Sequence, residues 1–244
     1  GSIGHFTTTV VSDGKEQTLD HGAVIIAIGA REYKPTEYLY GNNPNVMTQL
    51  EFEERLSKGT ITGSTFVIIQ CVGARNKDWP NCARICCSEA LKNALKLKAK
   101  VPQAEIFILN RDIRSYGFHE ELYREARGKG IHFIHYDDKN MPQVTEEGGR
   151  LKVELLDDLL EKRIVIRPDQ LILSAATRPP EDVDKIAQLL KVPRTADGFF
   201  LEAHMKLRPV DFATEGVYLA GLAHGPKLID EAVSQANAAV SRAL

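Results

Sequence analysis

The sequence predicts an α/β protein: a doubly wound, Rossmann-like parallel sheet with an added antiparallel strand group. Three observations predict it. Short apolar runs that stop at glycine or at a turn alternate with stretches of helical period over Ser64–Tyr136, giving β-α-β-α-β. The later segment RLKVELLDDLLEKRIVIRPDQLILSAA reads as a strand pair about a turn, leading into one more buried strand. The composition, 43% hydrophobic and 26% charged over 244 residues, belongs to a globular chain that can bury the core of one large domain or two modest ones.

Taken in order, GAVIIAIGA (Gly22–Ala30) is an apolar run closed by glycine, which suits a buried strand. Thr48 with Glu51 three residues later has the spacing of a capping box, so a helix is expected to start there. STFVIIQCVG (Ser64–Gly73) reads as a fully buried strand, and CARICCSEALKNALKLKAK (Cys82–Lys100) as a helix closed by Pro102. AEIFILN and IHFIHY are further strands on either side of a short helix in FHEELYREARGKG. The last third holds a helical piece over Pro180–Leu190, the buried strand GVYLAG, and a closing helix from about Leu228.

The net charge of −2 gives no support for a nucleic-acid or membrane-surface partner. No apolar run approaches the roughly 20 residues needed to cross a bilayer, and no secretory signal is recognised, so the cytoplasm is the expected location. In a reducing compartment, clustered cysteines serve as ligands or redox groups.

All four cysteines fall between Cys71 and Cys87, spaced C-x10-C-x3-C-C in CVGARNKDWPNCARICC. If the helix began at Cys82, Cys82 and Cys86 would share a face and Cys87 would be turned by about 100°. Cys71, at the carboxyl end of its strand, would face the start of that helix, so all four sulfurs could meet where such sheets bind ligands. Arg75, Lys77 and Arg84 add positive charge, and a helix N-terminus favours thiolate. Four readings stay open on the residues alone: four thiolates holding an iron–sulfur cluster at irregular spacing, a structural zinc, thiol–disulfide exchange, or small buried hydrophobes. No strand leads into G-x-G-x-x-G, and Cys71 stands after FVIIQ where a phosphate-binding glycine would be expected. Asn110, ending the next strand, is not the acid that a ribose site wants.

The cysteine segment, continuing into SEALKNALKLK and followed by LNRDIRSYGFHEELYREAR, resembles the A-type subunit of heterodisulfide reductase and its relatives. REYKPTEYLYG and FFLEAHMKLRPVDFATEGVYLAGLAHGPKLIDEA extend the resemblance over almost the whole chain. It implies a pyridine nucleotide-disulfide oxidoreductase-like fold plus part of an FAD domain. The implied segments are 1–60 in a partial FAD domain, 61–178 as the nicotinamide-domain-like unit with the cysteine motif, and 179–244 returning to the FAD domain. It implies a [4Fe–4S] cluster on Cys71, Cys82, Cys86 and Cys87. It implies FAD contacts at Ala27 and Gly29 in VIIAIGA, and at Gly221, Leu222, His224 and Lys227 in the second flavin segment. That segment usually reads glycine–aspartate, where this chain has Gly221-Leu222. The family's first FAD strand with its glycine turn and its ferredoxin cysteine runs are missing, so a fragment or truncated relative is expected, inactive alone and not retaining FAD. The implied function is an oxidoreductase subunit passing electrons between FAD and the cluster to other heterodisulfide reductase-type subunits and to ferredoxin-like or hydrogenase proteins. A homodimer is compatible with it. The alternative is a non-redox binding or scaffold module with a structural zinc on the four cysteines.

Lys92, Lys96 and Lys100 repeat every four residues and read as a solvated face. The sharper expectation places Lys92 as a cation near the flavin, stabilising its reduced form. Arg111 and Arg114 read as surface arginines or as a clamp for a phosphate or an acidic partner. No residue reads as a covalent or proton-shuttling catalyst.

Overall fold

A computed structural model describes residues 1–157 and 160–244. The chain forms two compact units, one of residues 1–31 with 177–244 and the other of residues 32–176. Residues 32–60 therefore belong to the unit that holds the cysteines.

The first unit opens with a hairpin of β1 (Phe6–Ser12) and β2 (Lys15–His21), antiparallel from Phe6 opposite His21 to Ser12 opposite Lys15. Its turn, Asp13-Gly14, takes φ of 51° and 73°, the left-handed pair that a two-residue hairpin turn needs. Next comes β3 (Val24–Ile26), parallel to the late strand β14 (Val217–Leu219). Helices α4 (Val183–Leu190) and α5 (Ile229–Ala243) complete this unit. Ile26, Val183, Phe200, Phe212 and Leu219 form its core. The two-residue strands β4 (Arg31–Glu32) and β13 (Thr177–Arg178) fall where the chain passes from one unit to the other.

The second unit is built on a parallel sheet of β5 (Val46–Thr48), β6 (Thr65–Val72), β7 (Glu105–Asn110), β8 (His132–His135) and β12 (Gln170–Ala175), in the order β5-β12-β6-β7-β8. Alternation along β6 sends Phe66 and Ile68 to one face and Val67 and Ile69 to the other. The first face packs on helices α1 (Gln49–Lys58), α2 (Cys86–Lys100) and α3 (Glu120–Gly128) through Phe52, Leu91 and Ala126. The second face packs on Leu151, Val153 and Leu155 of β10 (Arg150–Asp157), the middle of an antiparallel sheet with β9 (Gln143–Glu147) and β11 (Lys162–Ile166). The expected strand pair is thus three strands, and residues 158 and 159 of the turn between β10 and β11 lie outside the described residues.

The predicted capping box is present: Thr48 Oγ1 accepts from Glu51 N–H and the Glu51 carboxylate accepts from Thr48 N–H. Gly59 closes α1 in the left-handed conformation, φ 70°, its N–H directed at the carbonyls of Arg55 and Leu56. Helix α2 starts later than the sequence predicts, at Cys86 rather than Cys82, because Arg84 takes φ 60° and breaks the helical path. Among the described residues, no helix is long and apolar enough to cross a membrane.

Candidate iron–sulfur and flavin segments

The cysteines occupy the crossover from β6 to α2. Cys71 lies near the carboxyl end of β6 at φ 61°, where the pairing with β12 slips between Leu173 and Ala175. After it, Gly73 and Arg75 are also left-handed, at φ 67° and 54°. A Cβ on Gly73 would run into the ring of Tyr33, which lies against this backbone. Successive reversals bring the chain back, so that Arg75 N–H donates to Asn81 O and Asn76 N–H to Trp79 O. Cys82 is half-buried ahead of the helix, where its Sγ accepts from Arg84 N–H at 3.3 Å. Cys86 and Cys87 open α2, both buried, packed with Ala83 and Ile113. Cys82 and Cys86 therefore do not share a helical face, which corrects that detail of the expectation.

The four sulfurs lie within electrostatic reach of one another: Cys71 responds to Cys87 and Cys82, and Cys86 to Cys87, Cys71 and Cys82. Burial pushes the Cys71 thiol up to about 11, and Arg75 opposes that shift. The Cys86–Cys87 hydrogen bond splits the adjacent pair, holding Cys87 below the ordinary thiol range and raising Cys86. Among the described residues, no group of three or more His, Cys, Asp or Glu side chains is arranged to hold a metal ion.

A second loop, from β7 toward α3, closes over this crossover. Arg75 Nη1 donates to Asp112 Oδ1 at 2.5 Å and stands 4.0 Å from Cys71 Sγ, while Cys87 Sγ lies 4.0 Å from Asp112 O. Arg114 donates to the same carboxylate from Nε and Nη2. Arg111 donates to Arg75 O at 2.6 Å and pairs with Asp138. The two arginines thus serve the protein's own loops, where the sequence alone allows an external anion. Sequence reasoning misses Asp112, although an acid between two arginines in RDIR is the available signal. Asn110 is buried at the end of β7 with Oδ1 unpartnered.

Lys92 donates to Glu53 at 2.8 Å across from α1, and Lys100 to Leu56 O at 2.6 Å, so only part of the lysine stripe is a free solvated face. Glu89, one turn before Lys92, is pushed up to about 7 by burial.

The flavin-segment residues lie in the first unit. The parallel pairing of β3 and β14 brings their carboxyl ends together, with Ala220 N–H donating to Ile26 O at 3.0 Å. Ala27 and Gly29 follow β3, Gly29 at φ 74°; Gly221 and Leu222 follow β14, Gly221 at φ 67° with open space where a Cβ would stand. Gln235 of α5 accepts from Gly221 N–H at 2.9 Å and bonds His224 Nδ1 at 2.8 Å. His224 Nε2 meets Glu202 at 2.7 Å, and Lys227 Nζ donates to the carbonyls of Gly221 and Gly225. His224 and Lys227 therefore shape the loop from within. Sequence reasoning misses Gln235 and Glu202, which are distant in the chain from the segment they hold.

No protein-family model matches the chain. The A-type subunit of the H(2):CoB-CoM heterodisulfide,ferredoxin reductase of Methanothermobacter thermautotrophicus is 38% identical over 94% of this chain. The A-type iron-sulfur subunit of the CoB–CoM heterodisulfide reductase of Methanocaldococcus jannaschii is 38% identical over 93% of it. By sequence, the chain belongs with the A-type subunits of heterodisulfide reductase. It spans 37% of the length of either relative. Among solved structures, thioredoxin reductase from Lactococcus lactis is similar at TM-score 0.60 and 15% identity, covering 98% of this chain and 73% of that one. Thioredoxin reductase from T. acidophilum is similar at TM-score 0.59 and 14% identity, covering 96% of this chain and 71% of that one. The heterodisulfide reductase-like chain thus has the fold of pyridine nucleotide-disulfide oxidoreductases, with the cysteine crossover set into one of its units.

Proposed function

We propose that this chain is the cluster-bearing segment of a heterodisulfide reductase-type oxidoreductase, in which Cys71, Cys82, Cys86 and Cys87 hold a [4Fe–4S] cluster. The observation that carries the reading is the gathering of four thiols, three of them buried, at one strand end and one helix start, with a guanidinium against Cys71. The donor set fits: in a cubane each thiolate binds a different iron, so the sulfurs need not close on one point as they must around a single ion. When bound, the cluster supplies one-electron chemistry. The protein's part is to keep water from Cys71, Cys86 and Cys87 and to set the local charge.

FAD is the proposed electron partner, met by Ala27, Gly29, Gly221 and Leu222 at the joined ends of β3 and β14, where backbone can approach a ring closely. Leu222 offers no carboxylate and this sequence has no G-x-G-x-x-G turn, so neither segment supplies the usual pyrophosphate contact. Electrons would pass between flavin and cluster and on to ferredoxin-like or other reductase subunits, as the relatives' names suggest for those proteins. Lys92 is proposed as the cation that favours reduced flavin once its bond to Glu53 is exchanged. An unchanged flavin midpoint in Lys92→Met full-length protein removes that role.

The reading is tested by anaerobic reconstitution with iron and sulfide, followed by electron paramagnetic resonance of the dithionite-reduced protein. A cubane signal is expected in wild type and its loss in Cys71→Ala and Cys86→Ala. A signal that survives in both variants contradicts the ligand set.

A further inference from the structure

Arg75 is bound through every polar part of its residue. Its N–H donates to Asn81 O, its carbonyl accepts from Arg111, and its Nη1 reaches both Asp112 Oδ1 at 2.5 Å and Cys71 Sγ at 4.0 Å. The left-handed φ of 54° turns the side chain back over the strand end that carries Cys71. The guanidinium is mostly buried, with 21% of its side chain exposed, so solvent screens it less than it would a surface charge. Asp112 takes hydrogen bonds from Arg75 and Arg114, and its own carbonyl lies 4.0 Å from Cys87 Sγ.

We infer that Arg75 and Asp112 are a paired charge control on the redox potential of the cysteine site, Arg75 acting at Cys71 and Asp112 opposing it near Cys87. The inference rests on the cluster reading proposed above. One-electron reduction adds a negative charge that spreads onto the ligand sulfurs, so a fixed cation beside Cys71 favours the reduced state and raises the potential. A carboxylate beside Cys87 disfavours that state and also draws on the cation. Arg75 is therefore an adjusting residue and not a ligand. Its guanidinium fork reaches sulfur and carboxylate together, which a lysine ammonium cannot do.

The test is a redox titration of the anaerobically reconstituted protein, followed by the resonance signal and by visible absorption. Arg75→Met is expected to favour the oxidised form by about tenfold at fixed poise, a fall of ~59 mV for one electron. Asp112→Asn is expected to move the midpoint the other way. Arg75→Lys, which keeps the charge and disturbs the fold least, is expected to fall between wild type and Arg75→Met. Opposite signs separate this role from a merely structural one, because loosening the loops would move both variants alike. Equal midpoints in cluster-loaded wild type, Arg75→Lys and Asp112→Asn overturn the inference alone. Wild-type protein that takes up no iron and sulfide overturns both this inference and the reading beneath it.

Discussion

Helices α1 and α2 line the same face of one sheet and share one core, through Phe52 and Leu56 from α1 and Leu91 and Leu95 from α2, yet they begin differently. Helix α1 closes its own start: Thr48 and Glu51 satisfy each other's backbone reciprocally, and Thr48 is fully buried. Helix α2 has Ile85 at its cap position, with no side-chain bond to the first turn, and its first residues are two buried cysteines. The approach to α1 is an ordinary strand, whereas the approach to α2 passes through left-handed Cys71, Gly73, Arg75 and Arg84. Left-handed backbone costs a non-glycine residue about 1 kcal/mol or more, so three such residues in one crossover are sustained by what surrounds them. The difference teaches that the two starts serve different ends: one finishes a helix, the other presents sulfur.

The comparison can be broken most forcefully in the core both helices share. Leu91→Ala deletes a fully buried side chain and should cost about 3 kcal/mol in urea unfolding. A cost below about 1 kcal/mol would mean that α2 is held by its cysteine end and not by packing. Gly73→Ala comes next: its left-handed φ of 67° and the Tyr33 ring should together cost about 2 kcal/mol and lower iron uptake. Adding Tyr33→Ala should recover part of that loss; a double variant no better than the single one denies the close approach.

Thr48→Ala should cost about 1 kcal/mol by loss of the cap while leaving iron uptake unchanged, since α1 is not the sulfur-bearing start. The smallest effect is at the far end of β6. The Asp169 carboxylate accepts from the N–H groups of Ser64 and Thr65 at 2.6 and 2.9 Å, and these bonds hold it below the usual carboxylate range. A depressed carboxyl contributes stability above its unfolded value, ordinarily 3.8, and loses it as pH falls through the lower folded value. Asp169→Asn should therefore cost less than about 1 kcal/mol at neutral pH, solvent screening included, and the gap to wild type should shrink in thermal unfolding below about pH 4.

Much of the molecule is legible in the sequence where the signal is local. The run Phe66–Gln70 can only be a buried strand, and the Thr48–Glu51 spacing marks a helix start that the structure contains. The four cysteines are readable as a group because they are close in the chain. The start of α2 is misread because CARICC is compatible with helical period, and only the backbone shows Arg84 leaving it. The strand β9 is missed because Gln143–Glu147 is almost wholly polar and exposed, and the Asp13-Gly14 hairpin because nothing apolar marks its exposed strands as a pair. The partners of Arg75, Arg114 and His224 are not legible, since Asp112, Gln235 and Glu202 meet them only through tertiary contact.

The central claim is that four sulfurs at the start of α2 hold iron and not a single structural ion. Quantification of iron, acid-labile sulfide and zinc in anaerobically purified protein tests it most directly. The account predicts equal amounts of iron and sulfide, lost together in Cys86→Ala. One zinc per chain with neither iron nor sulfide would contradict it.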